Sequence, residues 1–311
     1  MHDPRQRGRH GALESSVPEL PDVVIYVESL ARCLVGRRLD RLLLVSPFVL
    51  RSVTPPIERV NGLLVRGVRR LGKRIVLEFD DDLFLVFHLM IAGRLRWREP
   101  GEKPRVAPRM ILAVLEFEHG KLLFTEASSK KRASLQLVGG PGQLDSLNPG
   151  GIEPLEVGLD QFRTALTREN HTVKRVLTDP HVFSGIGNAY SDEILHAAHL
   201  SPLKLSQSLS DEEVARLYEA MRATLDSWIA RLRGEAGGRF PEKVTAFRAG
   251  MAVHGRFRQP CPVCGAPVQR IVYAENECNY CARCQTGGRL LADRSLSRLL
   301  RDDWPRSIDE L

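Results

Sequence analysis

The sequence predicts an α+β protein in which a β-rich first half is followed by a helical second half and a small cysteine-rich module. Apolar, β-branched segments separated by short turns run from about residue 39 to residue 137. After a stretch rich in glycine and proline at residues 139–151, apolar residues recur at the spacing of a helix. Five of the six cysteines then lie between Cys261 and Cys284. A chain of 311 residues is long enough for two domains, each with its own core.

Two hairpin patterns support the strand prediction. Ile75–Phe79 and Leu83–His88 are rich in β-branched and aromatic residues, and they flank three consecutive aspartates. Ile111–Phe117 and Lys121–Phe124 flank a second turn in the same way. Each pattern predicts two antiparallel strands that are joined by a tight turn.

One long helix is predicted in the second half. Ser210 and Glu213 have the spacing of a capping box, in which each side chain accepts a hydrogen bond from the backbone of the other residue. Apolar residues follow at intervals of three and four: Val214, Leu217, Tyr218, Met221, Leu225, Trp228, Ile229 and Leu232. This stripe predicts a helix with one buried face.

The composition is that of a globular protein with a basic excess. The chain carries 45 Lys and Arg residues against 38 Asp and Glu, which gives a net charge of +7. Hydrophobic residues make up 43 % and charged residues 27 %, which excludes collagen-like and wholly disordered proteins. No apolar run reaches the ~18–20 residues of a membrane helix, and residues 1–17 lack the apolar core of a secretory signal. We therefore expect a cytoplasmic protein without a membrane partner.

The basic residues are concentrated in two clusters. The first cluster consists of Arg66, Arg69, Arg70, Lys73 and Arg74. The second consists of Lys130, Lys131 and Arg132. Clusters of this density are typical of surfaces that follow phosphates, although a solvated surface accounts for many basic chains. The pattern favours a polyanionic partner.

The cysteine spacing predicts a structural zinc site. Cys261 and Cys264 form one C-x2-C pair, and Cys281 and Cys284 form a second, with sixteen residues between the pairs. In a chain without a secretion signal such pairs indicate a metal rather than disulfides. Four thiolates hold Zn²⁺ in a tetrahedron at about 2.3 Å. Cys278 also forms a C-x2-C pair with Cys281 and stays an alternative, but we favour the pair that mirrors the first one, and we expect one zinc ion.

Four motifs in a fixed order carry a family resemblance. Pro18-Glu19-Leu20-Pro21-Asp22 begins the folded region, and Arg69-Arg70-Leu71-Gly72-Lys73 precedes a strand. Gly185-Ile186-Gly187-Asn188-Ala189-Tyr190 is followed by Ser191-Asp192-Glu193, and the cysteine pairs close the set. In this order and spacing the motifs resemble the formamidopyrimidine-DNA glycosylase/endonuclease VIII family of base-excision repair enzymes. The resemblance covers roughly residues 18–286.

The resemblance implies a fold and a partner. The fold is an N-terminal β-sandwich domain followed by a C-terminal helix–two-turn–helix domain with a zinc-ribbon finger. The partner is double-stranded DNA containing damaged bases or abasic sites, which implies a nucleoid-associated protein, and we expect a monomer. The expected segments are a non-native or disordered extension at 1–17, the catalytic β-sandwich at 18–138, a linker at 139–151, the helix–two-turn–helix domain at 152–250, the zinc finger at 251–286 and a C-terminal extension at 287–311.

The resemblance also implies that the chemistry starts at Pro18. In the family this proline is the mature N-terminus, and its secondary amine attacks C1′ of the damaged nucleotide, after which the base leaves and elimination cuts the strand. A terminal amine has a pKa of about 7.7–8.0, so a fraction is uncharged at neutral pH, whereas a proline amide within a chain is not nucleophilic. The residue before Pro18 is Val17, and valine is what a GTG codon encodes within a gene, whereas GTG at a start site initiates bacterial translation as methionine. We therefore expect residues 1–17 to be a start-site artefact and the mature chain to begin at Pro18; a genuine tail that is cleaved, or that blocks the chemistry, is the alternative.

Further site residues follow from the resemblance. Glu19 is the implied general acid/base, which protonates the deoxyribose ring oxygen. Lys73 matches a lysine at a hairpin tip that contacts the phosphates flanking the lesion, and Arg69 and Arg70 add charge beside it. Asn188 matches the asparagine of the helix–two-turn–helix signature, which holds a phosphate together with backbone amides. A helix cap is the structural alternative for such an asparagine.

Several positions depart from the family pattern. Ile91 falls where the family inserts a methionine into the space left by the flipped base. The basic run stands where the family has an arginine and a phenylalanine, and we expect its members to contact DNA: Lys130, Lys131 and Arg132. Asn276 takes the place of a phosphate-binding arginine in the finger, and Asp22 replaces a glutamate. We therefore expect the opposite base to be probed differently from the typical enzyme.

Three functions were weighed against these residues. The favoured function is a bifunctional DNA glycosylase and AP lyase that acts on oxidised or ring-opened bases or on abasic sites. A non-catalytic DNA-damage-binding protein with the same fold is the alternative, which the changes at positions 91 and 276 favour. Pro18, Glu19 and Lys73 together favour the enzyme. A zinc-ribbon transcription or translation factor would explain the cysteines but not the N-terminal motif.

Overall fold

The computed structural model describes residues 17–103, 105–242, 244, 248–273, 276–291 and 307–310. Residues 1–16 of the predicted N-terminal extension, and residues 292–306 and 311 of the predicted C-terminal one, lie outside the described residues. Within the described ranges, no helix has the length and apolar character that crossing a membrane requires. The chain divides into two compact units, Met1–Pro149 with Ile229–Ala246, and Gly150–Trp228 with Phe247–Leu311.

The first unit contains helix α1 (Leu20–Leu34) and two four-stranded sheets. The strands are β1 (Arg41–Leu44), β2 (Val65–Leu71), β3 (Arg74–Phe79), β4 (Leu83–His88), β5 (Gly93–Arg98), β6 (Ile111–Phe117), β7 (Gly120–Glu126) and β8 (Ser134–Gly139). One sheet has the order β1-β6-β7-β5 and the other the order β2-β3-β4-β8, with antiparallel neighbours throughout.

Buried residues of both sheets form one core, which confirms the predicted β-sandwich. Phe87 of β4 meets Phe124 of β7 edge-to-face, with ring centroids 5.4 Å apart. Tyr26 and Leu30 of α1 are fully buried against the same core. The helix therefore covers the sandwich with its apolar face.

Both predicted hairpins are confirmed, because β3 pairs with β4 and β6 pairs with β7. In the first hairpin, Asp81 and Asp82 adopt left-handed conformations, with φ of 62° and 52°. Aspartate tolerates this conformation better than most residues. The three consecutive aspartates therefore supply the turn that the strand pattern needs.

The stretch at residues 139–151 contains a short helix, α2 (Pro141–Asp145). Its Leu144 is buried against Leu71 and Val76 of the second sheet. Leu147 packs against the same cluster, so two leucines among glycines and prolines pack this stretch against β2 and β3. The division between the two units falls immediately afterwards, between Pro149 and Gly150.

The elements after residue 150 are mainly helical. They are α3 (Leu159–Thr167), α4 (Val173–Thr178), α5 (Asn188–Ala197), α6 (Asp211–Ala236), β9 (Gln269–Tyr273), β10 (Asn276–Tyr280) and α7 (Ala282–Thr286). The predicted capping box of α6 is confirmed: the Ser210 N–H donates to the Glu213 carboxylate at 2.9 Å, and the Glu213 N–H donates to the Ser210 hydroxyl at 3.3 Å. The predicted stripe is buried, since Leu217, Met221 and Leu225 have no exposed surface.

Part of the predicted C-terminal extension packs beside the hairpin of β9 and β10. The Ile308 N–H donates to the Gly288 carbonyl at 2.8 Å. Ile308 and Leu290 are buried together with Ile271 and Tyr280. The described part of the extension thus completes a small apolar core at this hairpin.

Gly93, at the start of β5, leaves no space for a side chain. A Cβ atom at this position would lie 2.2 Å from the Leu89 carbonyl oxygen, which accepts the Gly93 N–H at 2.8 Å. Gly93→Ala should therefore lower the free energy of unfolding by about 1–3 kcal/mol, measured by urea denaturation. Gly142→Ala, at a helical position with open space in the same unit, is the control and should be neutral or slightly stabilising. Equal effects of the two changes would contradict the steric explanation.

Candidate functional site

Pro18 and Glu19 are buried where the first helix begins. Glu19 has an extended backbone, with φ of −110° and ψ of −174°, directly before α1, and 3 % of its surface is exposed. Its N–H donates to the Asp22 carboxylate at 3.0 Å. Asp22, which is also buried, therefore fixes the Glu19 backbone in the manner of a capping-box residue. The Pro18 nitrogen is joined to Val17, and as an amide it has no lone pair for attack.

Lys73 lies in the tight turn between β2 and β3, as predicted for a hairpin tip. Gly72 in the same turn has a φ of +62°, a left-handed conformation that suits glycine. Arg70 donates a hydrogen bond to the Gly72 carbonyl at 2.8 Å, which holds the turn. Arg69 instead pairs with Glu78 and lies over the Phe84 ring at 5.9 Å. Arg70, on β2, therefore bonds to the turn that contains Lys73, whereas the charge of Arg69 is partly neutralised on the sheet.

His88 stands beside this hairpin and was given no role by the sequence. It is the last residue of β4 and is directly opposite Arg74 in the strand register. Burial, with Arg74 and Lys73 as cationic neighbours, lowers the pKa of His88 to about 4. The imidazole is therefore neutral at pH 7 and adds no charge beside Lys73.

The turn that contains Ile91 is fixed by a buried arginine. Ile91 is half-buried between β4 and β5, and Met90 before it has a left-handed φ of 52°. Arg94, which is 8 % exposed, donates to the Ile91 carbonyl at 3.1 Å and to the Gly93 carbonyl at 2.7 Å. The Arg94 side chain, which the sequence did not indicate, thus holds the backbone at Ile91 in place.

The predicted basic run lies on an exposed loop between β7 and β8 and is anchored by one buried carboxylate. Lys130, Lys131 and Arg132 are all exposed. Glu126, with 1 % of its surface exposed, accepts the backbone N–H of Arg132 at 3.0 Å and that of Ala133 at 3.2 Å. A glutamate at the end of a strand, four residues before a basic run, was the available signal for this anchor.

Asn188 is the first residue of α5, and its side chain is engaged within the second unit. Its Nδ2 donates to the Glu277 carbonyl of β10 at 2.7 Å. Lys174 of α4 donates to the Asn188 carbonyl at 2.7 Å. Asn188 therefore ties the start of α5 to the hairpin of β9 and β10, a contact that sequence reasoning did not foresee.

Asp192 and Glu193 follow on α5 as buried carboxylates. Asp192 accepts hydrogen bonds from Lys174 at 2.5 Å, from His254 Nδ1 at 2.8 Å and from the Asn279 N–H at 3.1 Å. Burial alone would raise the pKa of Asp192, but Lys174 and His254 hold it below its usual value. Glu193 accepts three backbone N–H groups from residues 252–254, and burial raises its pKa. The acidic pair after the glycine motif is thus structural.

The four predicted metal ligands are brought together. Cys264 Sγ lies 3.3 Å from Cys281 Sγ, and Cys261 Sγ lies 3.9 Å from Cys284 Sγ. Burial raises the pKa of Cys281 to about 11, and burial together with the neighbouring thiols raises that of Cys284 as well. A dication among the sulfurs would supply the charge that lets such closely packed thiols ionise. The donor set therefore fits a metal ion.

A histidine joins this cluster, and the alternative cysteine does not. His196 of α5 has its Nε2 3.3 Å from Cys261 Sγ, although the two residues are 65 positions apart. The donor atoms of His196, Cys261, Cys281 and Cys284 all lie within 4.8 Å of one another. Among the described residues, Cys278 stays outside this cluster and is buried on β10 together with Ile271 and Tyr280.

The structure places the predicted residues in both units. The first unit contains Pro18, Glu19, Arg69, Arg70, Lys73, Ile91, Lys130, Lys131 and Arg132. The second contains Asn188, Cys261, Cys264, Cys281 and Cys284. The four cysteines lie close together, and Arg70 bonds to the turn that contains Lys73. The basic run forms a separate loop of the first unit.

Two protein-family models match the chain. The formamidopyrimidine-DNA glycosylase N-terminal domain matches residues 17–132. The formamidopyrimidine-DNA glycosylase H2TH domain matches residues 151–237. The first match contains the Pro18 motif and the Lys73 hairpin, and the second contains Asn188.

Curated relatives carry related names. A formamidopyrimidine-DNA glycosylase of Moorella thermoacetica is 31 % identical over 262 residues, covering 82 % of this chain and 94 % of the relative. One of Heliobacterium modesticaldum is 30 % identical over 282 residues, covering 86 % of this chain and 100 % of the relative. An uncharacterized formamidopyrimidine-DNA glycosylase-like protein of Mycobacterium tuberculosis is 41 % identical over 151 residues, covering 49 % of this chain and 94 % of the relative.

Solved structures are similar over most of the chain. MutM in complex with carbocyclic 8-oxo-G containing DNA has a TM-score of 0.75 at 25 % identity, covering 86 % of this chain and 100 % of that one. The complex between Lactococcus lactis Fpg and an abasic site containing DNA has a TM-score of 0.76 at 24 % identity, covering 86 % of this chain and 99 % of that one. The second likeness supports the fold.

His88→Gln should remove part of the pH dependence of stability. In the unfolded chain a histidine has a pKa of about 6.5, whereas that of His88 in the folded chain is about 4. As the pH falls through this window, the unfolded state binds a proton that the folded state does not. The free energy of unfolding of the wild type should therefore fall by up to ~1.4 kcal/mol per pH unit more than that of the variant.

Urea denaturation between pH 7 and about pH 4 measures this difference. His181→Gln, at an exposed histidine, is the control and should follow the wild type. Parallel curves for the wild type and His88→Gln would show that His88 does not stay neutral in this window.

Proposed function

The chain belongs to the formamidopyrimidine-DNA glycosylase family, and we infer from this that it is a DNA repair glycosylase. We propose further that it is bifunctional, excising oxidised or ring-opened bases and then cutting the strand as an AP lyase. Its proposed partner is double-stranded DNA containing damaged bases or abasic sites, which the bacterial nucleoid in the cytoplasm supplies. The buried Pro18–Glu19 pair at the start of α1 is the observation that carries the proposal.

The proposed reaction uses an amine at Pro18. With a free N-terminus at this residue, the nitrogen lone pair forms a bond to C1′ of the damaged nucleotide. The glycosidic bond breaks, and its electron pair leaves with the base, which takes up a proton. Glu19 gives a proton to the sugar ring oxygen as the ring opens, so that an iminium joins C1′ to Pro18. Elimination of the phosphates flanking the lesion then cuts the strand.

The fixed geometry at Glu19 supports this role. A general acid must be held within hydrogen-bond reach of the atom that it protonates. The bond from the Glu19 N–H to Asp22 holds the backbone of Glu19 one residue after Pro18. Asp22 is thereby proposed as a positioning residue, in place of the glutamate of the family pattern.

Charges of the first unit are proposed to bind the DNA backbone. Lys73 lies in the turn after β2, to which Arg70 bonds, and the exposed run at residues 130–132 adds three charges. Arg69 is proposed to bind less strongly, because it is paired with Glu78.

Asn188, at the N-terminus of α5, is proposed to hold a phosphate with nearby backbone N–H groups. Ile91 is proposed to occupy the space of the flipped base.

The metal is proposed to be one Zn²⁺ held by Cys261, Cys264, Cys281 and Cys284. Zinc in such a site crosslinks the chain and takes no part in the reaction. The proposed zinc finger spans residues 251–286, after the helix–two-turn–helix domain at 152–250. The catalytic domain is proposed to span residues 18–138.

A non-catalytic damage-binding protein is the second candidate. The bond between Val17 and Pro18 favours it, because a chain that keeps this bond offers no amine for the reaction. The basic loop would still bind phosphates in such a protein. Covalent trapping separates the two candidates.

The form that begins at Pro18 should be trapped on abasic-site DNA by borohydride, which reduces the iminium to a stable amine. The full 311-residue chain should give no adduct, because its Pro18 nitrogen is an amide. Glu19→Gln in the Pro18-start form should slow adduct formation by about 10²–10⁴-fold. The measurement is the rate of appearance of a covalent band in denaturing gels.

Pro18→Gly is the matched control, since glycine still offers a terminal amine and should be trapped. Tight binding without any adduct from the Pro18-start form would refute the lyase mechanism and support the damage-binding protein. An adduct of equal yield from the full chain would refute Pro18 as the nucleophile.

Replacing Lys130, Lys131 and Arg132 by alanine should weaken DNA binding and its salt dependence. Each phosphate contact that is lost should reduce the slope of log K against log salt by about 0.9. Fluorescence anisotropy at several salt concentrations measures this slope. The control replaces three other exposed basic residues of the first unit, Arg41, Arg59 and Lys121, which removes the same charge. Equal slopes for the two variants would contradict a specific role of the loop.

A further inference from the structure

The thiol cluster contains one donor more than a tetrahedral ion can use. His196 is 4 % exposed, and its Nε2 lies 3.3 Å from Cys261 Sγ. Its donor atom is within 4.8 Å of Cys261, Cys281 and Cys284. Cys264 is the one of the four thiols outside this mutual group, although its Sγ lies 3.3 Å from Cys281 Sγ. The four thiols form one set of four donors, and His196 with three of those thiols forms a second set.

We propose that His196 is a fifth donor of the metal centre and a reserve ligand for Cys264. With four thiolates on the ion, the Nε2–H of His196 donates a hydrogen bond to Cys261 Sγ. Where the Cys264 sulfur is removed, Nε2 binds the ion through its lone pair and completes a Cys3His centre. In that state the ring proton is on Nδ1, so one proton has moved through water from Nε2 to Nδ1. This inference rests on the metal centre proposed above.

The position of His196 suits the loss of Cys264 in particular. Its nitrogen lies within 4.8 Å of the three other sulfurs, those of Cys261, Cys281 and Cys284. An ion held by those three sulfurs needs only a small shift to accept a nitrogen at about 2.0–2.1 Å while it keeps sulfurs at about 2.3 Å.

The charge balance also favours a histidine at this place. Four thiolates around a dication leave two negative charges in a buried cluster, and a hydrogen bond from His196 to Cys261 offsets part of that cost. Three thiolates and a neutral imidazole leave one negative charge. Cys3His is an ordinary structural zinc set. Both states of the centre are therefore chemically reasonable.

Other contacts hold the end of α5 against the cysteine pairs, independently of the ion. His199 Nδ1 lies 3.2 Å from the Cys284 carbonyl. The Gln285 side chain donates to the Leu200 carbonyl at 2.9 Å and accepts the Cys281 N–H at 2.8 Å. These bonds place His196 beside the cluster without help from Cys264. The exchange of one ligand for another therefore requires no rearrangement of the helix.

The test measures zinc bound per chain after dialysis against a chelator, by mass spectrometry of the metal in the full chain. The wild type and Cys264→Ala should both retain about one zinc, whereas Cys264→Ala combined with His196→Gln should lose it. Glutamine keeps an N–H donor for Cys261 but removes the imidazole ligand. Cys264→Ala combined with His181→Gln, at an exposed histidine of the same unit, is the matched control and should retain zinc. X-ray absorption of Cys264→Ala should show three sulfurs and one nitrogen on the zinc.

The outcomes separate this inference from the metal centre itself. A wild type without zinc would overturn the metal centre, and the inference with it. A wild type with zinc and a folded Cys264→Ala variant without it would overturn the inference alone. The same holds if Cys264→Ala keeps its zinc equally well with and without His196.

A second measurement tests the inference without the Cys264→Ala variant, in case that variant does not fold. His196→Phe in the otherwise intact chain should weaken zinc binding about 10–100-fold in competition with a chromogenic chelator, the cost of losing a hydrogen bond to a metal ligand. His181→Phe, at an exposed histidine of the same unit, should leave the affinity unchanged. Equal affinities of the two variants would overturn the role of His196 beside Cys261.

Discussion

A single buried carboxylate joins the parts of the second unit. Asp192 has no exposed side-chain surface, and it accepts bonds from Lys174 on α4, from His254 and from the Asn279 N–H on β10. A buried carboxylate without partners would cost several kcal/mol. The helices and the cysteine-rich hairpin must therefore assemble around this charge together, because each supplies a donor that the others cannot replace. Glu193, one residue later, is also buried, and its carboxylate accepts the backbone N–H groups of residues 252–254. This segment must therefore pack against α5 as well.

Helix α5 carries these constraints along its whole length. Asn188 at its start bonds to the Glu277 carbonyl, Asp192 in its middle bonds to Asn279, and His196 at its end approaches Cys261. The hairpin of β9 and β10 and the thiol cluster thus contact one helix at its start, its middle and its end. Metal binding at the cysteines would therefore stabilise the same helix that presents Asn188, since both depend on one packed assembly.

The first unit uses buried polar side chains in a similar way, each close to a segment with a proposed function. Asp22 holds the backbone of Glu19, Arg94 holds the turn at Ile91, and Glu126 holds the basic loop. In each case a charged side chain bonds to backbone groups of the segment. Loops that are fixed in this manner lose less entropy when they bind a ligand.

The sequence alone determined the local features, because adjacent residues decide them. The two hairpins, the capping box at Ser210 and the thiol pairs depend on spacings of a few residues, and all were found where the patterns placed them. The order of the motifs was also sufficient for the family, which the family models and relatives then established. The tertiary structure alone decided which buried groups meet. His196 and Cys261 are 65 positions apart, and Asp192 and Asn279 are 87, so no periodicity links them. Leu144 likewise packs against β2 and β3 from a stretch whose glycines and prolines indicated only a linker. Such contacts follow from how the chain folds back on itself, and a pattern in one segment carries no information about the partner that a distant segment will supply.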